Sequence, residues 1–600
     1  MSAVELEPEG KLFDGQLTRR LLAYTKPYRA LLGLAVLVIL IMSLLNSAMP
    51  VLLKMAIDDY LMEDAVSLSA GDRIAGITRI GWFYLGLAGF VFGLRYFQAY
   101  LMAWVAERII YDMRADIFAK ILRMPLRFMD RNPVGRLMTR VTSDVEAMQR
   151  MVTDGVVGLV ADLFALVAIM GFMIYLSPVL ALTLFGVFPV LLGVMFWINL
   201  NTRRAHRKVR ARQSTLNSYL QEMITGMLTI QLFNRETNVR KRFDQRNTDL
   251  RQGWFESVRW ISFFFPSMEV LNAVSVALVL GVGGWMIVQG SDAVSIGIMV
   301  AFLAYIRDFF RPLEDLSEKS TVFQSAMASS ERIFGLMDEK EDLQDPPKPV
   351  EIERFNGAVE FDRVWFAYQD EDWVIKDLSF KIQPGESVAI VGATGAGKTS
   401  IISLISRLYD VQRGLVRVDE QDVRNYRQVD LRRRIGMVIQ DPFIFSGSIA
   451  ANIHMHNPEV SREQVIEAAK YVNAHRFISA LPDGYDTEVQ ERGITLSTGQ
   501  KQLLALARAL VQDPDILLIL DEATANVDTE SELLIQDALK RLMRGRTSIL
   551  IAHRLSTIRG VDRILVMRNG EKIEEGSHTS LIQHDGYYRR LYELLAHQPV

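Results

Sequence analysis

The chain has 600 residues, of which 50% are hydrophobic and 23% are charged, and its formal net charge is −3. This composition excludes a disordered chain, and the balanced charge lacks the basic footprint of a nucleic-acid-binding protein. The absence of cysteine excludes disulfides, thiol catalysis and cysteine-ligated metal clusters. The mean hydropathy of +0.14 averages over two unlike halves, so each half predicts a different kind of domain.

The first half contains long uncharged segments that predict membrane helices. Residues 31–53 are uncharged over 23 positions, and residues 163–202 over 40, interrupted by Ser177-Pro178. Since about 20 apolar residues span a membrane as a helix and proline ends a helix, the longer segment predicts two helices joined by a very short turn. With the other uncharged segments, the sequence predicts six transmembrane helices, near residues 29–53, 78–105, 155–176, 179–201, 262–289 and 293–317.

Basic residues predict the orientation of these helices. Residues 107–154 contain nine Lys and Arg and residues 203–259 contain thirteen, whereas the opposite connections are tiny or acidic. Because basic loops remain on the cytoplasmic side, both termini and the two long loops are expected in the cytoplasm. Both long loops have a helical pattern, so we expect the membrane helices to extend well into the cytosol.

Four segments follow from this pattern. Residues 1–28 are expected to form a cytosolic or interfacial helix, and 29–335 a transmembrane domain. The polar, proline-containing segment 336–355 predicts a linker. Residues 356–600 alternate short apolar strands with helices and glycines, which predicts a soluble α/β domain.

A phosphate-binding loop is predicted inside this α/β domain. A buried strand, Ser387–Val391, leads directly into the pattern G-x-x-x-x-G-K-[ST] and then into a helical stretch. Glycines let backbone N–H groups surround phosphate oxygens, and the start of the helix adds partial positive charge. Lys398 supplies a point charge to the β- and γ-phosphates, and the Thr399 hydroxyl is a hard ligand suited to Mg²⁺. The predicted nucleotide-binding residues of the loop are Gly392, Thr394, Gly395, Gly397, Lys398, Thr399 and Ser400.

A pair of carboxylates completes the predicted phosphate chemistry. The apolar run Ile516–Leu520 is followed by Asp521 and Glu522. Asp521, at the end of a buried strand beside the phosphate loop, is expected to hold Mg²⁺ through water. Glu522 is expected to act as general base or to orient the attacking water, since phosphoryl transfer depends on positioning and electrostatics.

At this point the residues resemble a known family. Leu496-Ser497-Thr498-Gly499-Gln500 is similar to the LSGGQ signature of ATP-binding-cassette transporters. The resemblance implies that Ser497, Thr498, Gly499 and Gln500 face the ATP site of a second nucleotide domain. Further positions match the family in order: Tyr368 as the aromatic that stacks on adenine, Gln440 as a metal-environment glutamine, Asp528 in the D-loop and His553 as the switch histidine. ATP and Mg²⁺ are therefore the expected cofactors.

The resemblance covers nearly the whole chain and implies a fold class. It implies a membrane α-helical domain of six transmembrane helices with long cytosolic extensions, followed by an α/β P-loop ATPase domain with a helical subdomain. Residues 128–145 and 222–236 resemble the family's two cytosolic coupling segments, which dock on nucleotide domains. The implied molecule is an exporter half-transporter of the bacterial cytoplasmic membrane, similar to heterodimeric multidrug and peptide exporters related to the antigen-peptide transporters.

The signature departs from the family pattern in a way that bears on the partner. Thr498 stands where the family usually has glycine, and Gln490 replaces another glycine upstream. A β-branched residue crowds the close approach to phosphate that glycine permits. The phosphate loop, Asp521, Glu522 and His553 remain intact. This profile favours a heterodimer with one degenerate ATP site, and the alternative is a homodimer that tolerates the threonine.

Three charged residues interrupt the predicted membrane helices and are candidates for the translocation path, namely Arg95, Glu269 and Arg307. The alternative is that they reach toward the membrane interface or form structural ion pairs.

The expected function is ATP-driven export of amphipathic small molecules or peptides by alternating access. A lipid flippase with the same engine, an ATP-gated channel and a regulatory subunit remain as alternatives. Membrane lipids and a second half-transporter are the expected partners, and no nucleic acid is expected.

Overall fold

The computed structural model describes residues 15–62, 69–291, 293–340, 343–439, 441–521, 529–552 and 558–596. They fall into two compact units. The first contains the described residues up to Leu122 together with Val134–Glu339, and the second contains Arg123–Pro133 and the described residues from Lys340 onward. A short stretch near residue 128 therefore belongs to the same unit as the α/β domain, although it is encoded within the helical half.

The first unit is built from helices. They are α1 Gly15–Thr25, α2 Arg29–Tyr60, α3 Ala70–Arg123, α5 Val134–Val141, α6 Ser143–Arg150, α7 Gly158–Leu176, α8 Pro178–Phe185, α9 Phe188–Thr225, α10 Met227–Leu232, α11 Glu236–Val288 and α12 Ile296–Asp338, with a π-helix over Met151–Val157. Helix α3 has 54 residues and α11 has 53, which is more than twice what a membrane crossing needs.

Five helical segments within the described residues are long and apolar enough to cross a membrane. They are Gly15–Tyr60, Ala70–Arg123, Val134–Leu176, Pro178–Thr225 and Glu236–Val288. The sixth predicted helix forms as part of α12, but it does not meet the same composition test. Arg307, Asp308 and Arg311 follow its apolar start, so the uncharged part of α12 is only about 16 Å long at 1.5 Å per residue.

The predicted fourth membrane helix is divided in two. Helix α8 ends at Phe185 and α9 begins at Phe188, with Gly186 between them. Pro189 stands in the first turn of α9, and because it has no N–H it cannot bond back to the Phe185 carbonyl. The boundary between α7 and α8 does fall at Ser177-Pro178, where Ser177 is extended and Pro178 begins the next helix.

Apolar side chains of four helices form a buried core in this unit. It includes Ile169 of α7, Leu180 of α8, Val279 of α11 and Phe302 of α12, each at most 4% exposed. The buried Tyr305 hydroxyl donates a 2.6 Å hydrogen bond to the Ser47 carbonyl of α2. The buried hydroxyl thereby keeps a hydrogen-bond partner, which avoids the cost of burying an unpaired polar group.

The second unit contains the short helix α4 Leu126–Arg131 and an α/β domain. Its strands are β1 Val359–Ala367, β2 Trp373–Ile382, β3 Ser387–Gly392, β4 Arg413–Val418, β5 Gln421–Asp422, β6 Ile435–Val438, β7 Gly447–Ser448, β8 Glu488–Val489, β9 Ile516–Asp521, β10 Thr547–Ala552, β11 Arg563–Arg568 and β12 Glu571–Gly576. Its other α-helices are α13 Lys398–Ile405, α14 Gln428–Arg433, α15 Ile449–His454, α16 Arg462–Tyr471, α17 His475–Ser479, α18 Thr498–Val511, α19 Thr529–Met543, α20 His578–Gln583 and α21 Tyr587–Ala596.

Two sheets organise this domain. The larger has the order β12-β11-β3-β10-β9-β6, in which only the edge strand β12 is antiparallel. The smaller is an antiparallel sheet of order β2-β1-β4-β5. Central strands of the larger sheet are buried on both faces, so they are apolar throughout rather than alternating. In β9, Leu518 faces the core shared with the small sheet, and Leu517 and Ile519 face the core shared with the helices.

Candidate nucleotide site

The predicted phosphate loop forms between β3 and α13. Gly397, at the N-cap of α13, has a left-handed backbone with φ of +92°, and no side chain caps the helix. A Cβ at this position would lie 2.9 Å from the Val374 carbonyl oxygen. Only glycine therefore fits without strain. The first N–H groups of α13 have no intrahelical partner, so they are available to an anionic group.

Gly392, at the start of the loop, is crowded as well. A Cβ there would lie 2.3 Å from the Met567 carbonyl oxygen of the neighbouring strand β11. Gly395 has φ of +82° with open space around it, and Thr394 beside it is exposed. The outer part of the loop is thus accessible, while its two ends are fixed against the sheet.

Lys398 is buried, with 6% of its surface exposed. Its ammonium group donates to the carbonyl oxygens of Gly392 at 2.7 Å and Ala393 at 3.0 Å. Two backbone carbonyls thereby hold the positive charge at the first residues of the loop. The neighbouring Thr399 is exposed, so its hydroxyl is accessible to a metal ion.

Tyr368 lies immediately after β1 and close to the loop helix. Its hydroxyl is 2.9 Å from the Ser400 hydroxyl oxygen, and Ser400 is 3% exposed. The ring of Tyr368 also meets Phe366 and Tyr409 edge-on, at centroid distances of 4.8 and 5.1 Å. The aromatic residue predicted to stack on adenine is thus held at the side of the phosphate-loop helix.

Sheet topology brings the catalytic segments to one edge. Strands β3, β10 and β9 are parallel neighbours, with Ile551 opposite Ile390 and Ala552 opposite Asp521. The carboxyl ends of parallel strands meet at the same edge of a sheet, where ligands of such folds bind. The phosphate loop follows β3, Asp521 ends β9, and position 553 follows β10. The segments that carry the predicted metal, base and switch residues therefore converge there.

Four predicted catalytic or motif residues lie outside the described residues, namely Gln440, Glu522, Asp528 and His553. The elements that lead to them are described. Strand β6 ends two residues before Gln440, β9 ends next to Glu522, and β10 ends next to His553. Their roles stay predictions.

The signature residues form the start of α18. Ser497 is the N-cap, and its hydroxyl accepts from Gln500 N at 3.2 Å while Gln500 Oε1 accepts from Ser497 N at 3.0 Å. This reciprocal pair is a capping box. Ser497 and Thr498 are exposed, whereas Gly499 is buried. The motif therefore presents a helix N-terminus and two side chains outward from the surface of its own domain.

The three charged residues proposed for the translocation path are all exposed in the single chain. Arg95 lies on α3, Glu269 on α11 and Arg307 on α12. Among the described contacts, none joins any two of them.

Sequence reasoning missed two polar contacts. Tyr409 was not singled out, yet its hydroxyl donates a hydrogen bond to the Asp130 carboxylate on α4. Asp144 was placed only in a coupling segment, yet it is 7% exposed and accepts from Ser329 Oγ at 2.9 Å and Arg332 Nε at 3.0 Å. The apolar neighbours Val145 and Met148 on α6 were the available signal that Asp144 lies on a buried helix face.

Comparison with known proteins identifies the family. Residues 32–313 match the ABC transporter transmembrane region, and residues 375–525 match the ABC transporter ATP-binding domain. YknV of Bacillus subtilis, an ABC transporter ATP-binding protein, is 38% identical over 97% of this chain and 95% of that protein. The chain belongs to the ABC transporter family. This ABC exporter therefore combines a membrane domain with a domain that hydrolyses ATP to drive transport.

The names of two further relatives indicate different transported substrates. The ATP-dependent lipid A-core flippase of Syntrophus aciditrophicus is 35% identical over 96% of this exporter and 94% of its own length. YgaD of Bacillus subtilis, whose name assigns it to multidrug export, is 34% identical over 96% of this exporter and 99% of its own length. Similarity of this extent identifies an ATP-driven transporter but does not identify the transported substrate.

Proposed function

We propose that this chain is one half of a dimeric exporter that moves amphipathic small molecules or peptides out of the cytoplasm. It would reside in the bacterial cytoplasmic membrane with six transmembrane helices, and its ATPase domain and both termini would face the cytoplasm. The observation that carries the proposal is the convergence of the phosphate loop and the ends of β9 and β10 at one sheet edge of a chain with five membrane-length helices.

The residues of that edge take the following roles in the proposal. Lys398 and the loop amides bind the β- and γ-phosphates, and Tyr368 contacts adenine. Mg²⁺ would be held by the Thr399 hydroxyl with Gln440 and, through water, Asp521, and it supplies charge neutralisation for phosphoryl transfer. The exposed Thr399 and the position of Asp521 at the end of β9 fit this donor set. Glu522 orients or deprotonates the attacking water, and His553 stabilises the γ-phosphate.

Two such domains would face each other, so that ATP lies between the phosphate loop of one and the signature helix of the other. ATP would contact both domains only in the closed state, and this differential binding is what shifts the conformational equilibrium. The exposed N-terminus of α18 supports this arrangement. Asp528, which resembles the D-loop residue of the family, is proposed to act at the same interface. Arg95, Glu269 and Arg307 are proposed to line the path of the cargo, because charged groups at membrane depth face a wet cavity rather than lipid.

The partner is proposed to be a different half-transporter. Thr498 is exposed at the first position of α18, so it would stand directly at the partner's nucleotide. The partner would carry an unaltered signature and a replaced catalytic carboxylate. A membrane-extracted complex that proves by native mass spectrometry to be a homodimer, and that traps two equivalent nucleotides, would contradict this part of the proposal.

Glu522→Gln tests the proposed mechanism of ATP hydrolysis. In the assembled complex, the variant is expected to bind ATP with unchanged affinity and to lose steady-state hydrolysis by about 100-fold or more. The measurement is ATPase turnover together with equilibrium binding of a fluorescent ATP analogue. Near-normal turnover would remove Glu522 from the role assigned to it.

A lipid flippase is the second candidate, favoured by the similarity to the lipid A-core flippase. The two functions separate in proteoliposomes. ATP-dependent movement of the dye Hoechst 33342 supports export of amphipathic molecules. ATP-dependent protection of a fluorescent phospholipid from dithionite, without dye movement, supports the flippase.

A further inference from the structure

Helix α4 of the first coupling segment belongs to the ATPase unit, and one side-chain contact ties it there. The Tyr409 hydroxyl donates to the Asp130 carboxylate, although the two residues are 279 positions apart. Tyr409 is 7% exposed. Asp130 is exposed, so the bond joins a buried donor to a charged acceptor at the surface. A bond to a charged acceptor is directional and strong compared with a neutral one.

The same tyrosine also contacts the proposed adenine residue. The rings of Tyr409 and Tyr368 lie edge-on, with centroids 5.1 Å apart and planes at 89°. Phe366 packs against both rings, at 5.7 Å from Tyr409 and 4.8 Å from Tyr368. Edge-to-face arrangements of this kind depend on ring orientation, so turning one ring changes the packing of the next.

Tyr368 is in turn attached to the phosphate-loop helix through Ser400, at 2.9 Å between the two hydroxyl oxygens. Ser400 is adjacent to Thr399 on α13. A continuous set of contacts therefore runs from the phosphate loop through Ser400, Tyr368 and Tyr409 to Asp130.

Open space borders Tyr409 on the side of α4. A cavity of about 210 Å³ lies beside it, lined by residues that include Pro125 and Arg127 near α4 and Leu408 and Gln412 near Tyr409. Among the described residues, no acceptor reaches Arg127 Nε, which is itself buried. This space allows α4 to change position. Because the Tyr409–Asp130 bond is directional, a rotation of the Tyr409 ring would move α4 with it.

We propose that Tyr409 is a positioning residue that transmits the occupancy of the nucleotide site at Tyr368 to the first coupling segment through Asp130. The inference rests on the proposed contact of Tyr368 with adenine. A bound adenine base fixes the orientation of the Tyr368 ring, and the edge-on contact then fixes the Tyr409 ring. Because the Tyr409 hydroxyl is bonded to Asp130, helix α4 moves with the Tyr409 ring. Burial and the neighbouring Asp130 carboxylate raise the pKa of Tyr409, so its hydroxyl remains a donor at physiological pH.

The absence of native cysteine makes a direct test available. The full-length chain is purified in its assembled complex with Arg131→Cys, an exposed position on α4, carrying a nitroxide spin label. Label mobility is measured with and without ATP and Mg²⁺, and ATP affinity is measured in parallel. Tyr409→Phe and Asp130→Ala, which remove the donor and the acceptor of this bond, are each expected to reduce the ATP-induced change in mobility about threefold or more, with ATP affinity within about twofold of the parent.

Two variants serve as controls. Tyr426→Phe removes another buried hydroxyl of the same domain, one that donates to the Val418 carbonyl at 2.9 Å, and it should leave the mobility change intact. Asp130→Glu keeps a carboxylate acceptor and should restore most of the change. The Tyr409→Phe/Asp130→Ala double variant should be no worse than either single variant, because each substitution removes the same bond.

A full ATP-induced change in Tyr409→Phe would overturn the inference, and so would a loss of ATP affinity that accounts for the reduced change. Tyr368→Ala separates this result from the proposed function. If Tyr368→Ala leaves ATP affinity unchanged, the adenine assignment fails. If ATP affinity falls in Tyr368→Ala while Tyr409→Phe transmits normally, only the role of Tyr409 fails.

Discussion

Asp58 at the end of α2 accepts a hydrogen bond from Gly297 N at the start of α12, at 2.9 Å, and its other oxygen accepts from the Ser295 hydroxyl at 2.6 Å. Lys54 lies 3.3 Å from the same carboxylate. A Cβ on Gly297 would stand 2.5 Å from Asp58 Oδ1 and 2.7 Å from the Lys54 carbonyl oxygen. The glycine is therefore what allows two helices, far apart in sequence, to join through one carboxylate.

Gly297→Ala is expected to weaken this joint between α2 and α12. The collision with the Lys54 carbonyl forces the end of α2 and the start of α12 apart, which costs about 1–3 kcal/mol in lost hydrogen bonds to the carboxylate. The check is the half-life of the detergent-solubilised protein at elevated temperature. Gly284→Ala on α11, where a Cβ meets nothing within 4 Å, is the matched control. Equal half-lives for the two variants would show that the joint contributes no stability.

Tyr368→Ala is expected to raise the KM for ATP about tenfold, because stacking of a base on an aromatic ring contributes about 1–3 kcal/mol. Tyr368→Phe keeps the ring and loses only the hydroxyl bound to Ser400, so its KM should stay within about threefold of the parent. Steady-state ATPase titrations give both values. If Tyr368→Ala raises the KM for GTP as much as the KM for ATP, the ring stacks on either base. If the KM for ATP does not change, Tyr368 does not contact adenine.

Thr498→Gly distinguishes a homodimer from a heterodimer. In a homodimer, relieving the crowding at both signatures should raise turnover about two- to tenfold. In a heterodimer whose partner lacks the catalytic carboxylate, this signature faces an inactive site, so turnover should change by less than about twofold. ATPase turnover of the purified complex decides between them. Ser497→Ala, which removes the N-cap side chain of α18, is the comparison variant: its turnover shows the effect of losing the signature motif itself.

Asp144→Ala is expected to destabilise the first unit by about 2–4 kcal/mol. It removes the acceptor of the buried Ser329 hydroxyl and the bonds from Arg332 to the carboxylate. Arg332 keeps its hydrogen bond to Ser329 Oγ and is 37% exposed, which moderates the cost. Thermal unfolding of the purified protein measures the effect. Glu146→Ala, on the same helix α6, removes an exposed partner of Arg114, with Glu146 55% and Arg114 42% exposed, and should change the midpoint little. Similar shifts for both variants would contradict the buried role of Asp144.

Local patterns allowed the nucleotide site to be predicted from sequence. The phosphate loop depends on glycines spaced within eight residues, and a strand before and a helix after them form as predicted, as β3 and α13. Apolar length likewise predicted six membrane helices, and five segments of the described residues are long and apolar enough to cross a membrane. These features are decided by neighbours in the chain, so periodicity and spacing contain the information.

Long-range contacts could not be predicted in the same way. Nothing near Asp130 in the sequence indicates Tyr409, and the partnership follows only from the placement of α4 in the ATPase unit. The break at Gly186 was missed because the apolar pattern continues through it, and only Pro189 marks the new helix. For α12, the pattern predicted a membrane helix, but the charges from Arg307 onward shorten its apolar face.

Helix α3 has a mechanical consequence. At 1.5 Å per residue its 54 residues extend about 80 Å, of which a membrane covers only about 30 Å. Such a helix behaves as a stiff rod, and a tilt of about 5° around one end displaces the other by about 7 Å. A rotation of a few degrees at one tip of α3 is thereby amplified into a movement the size of a drug molecule at the opposite end.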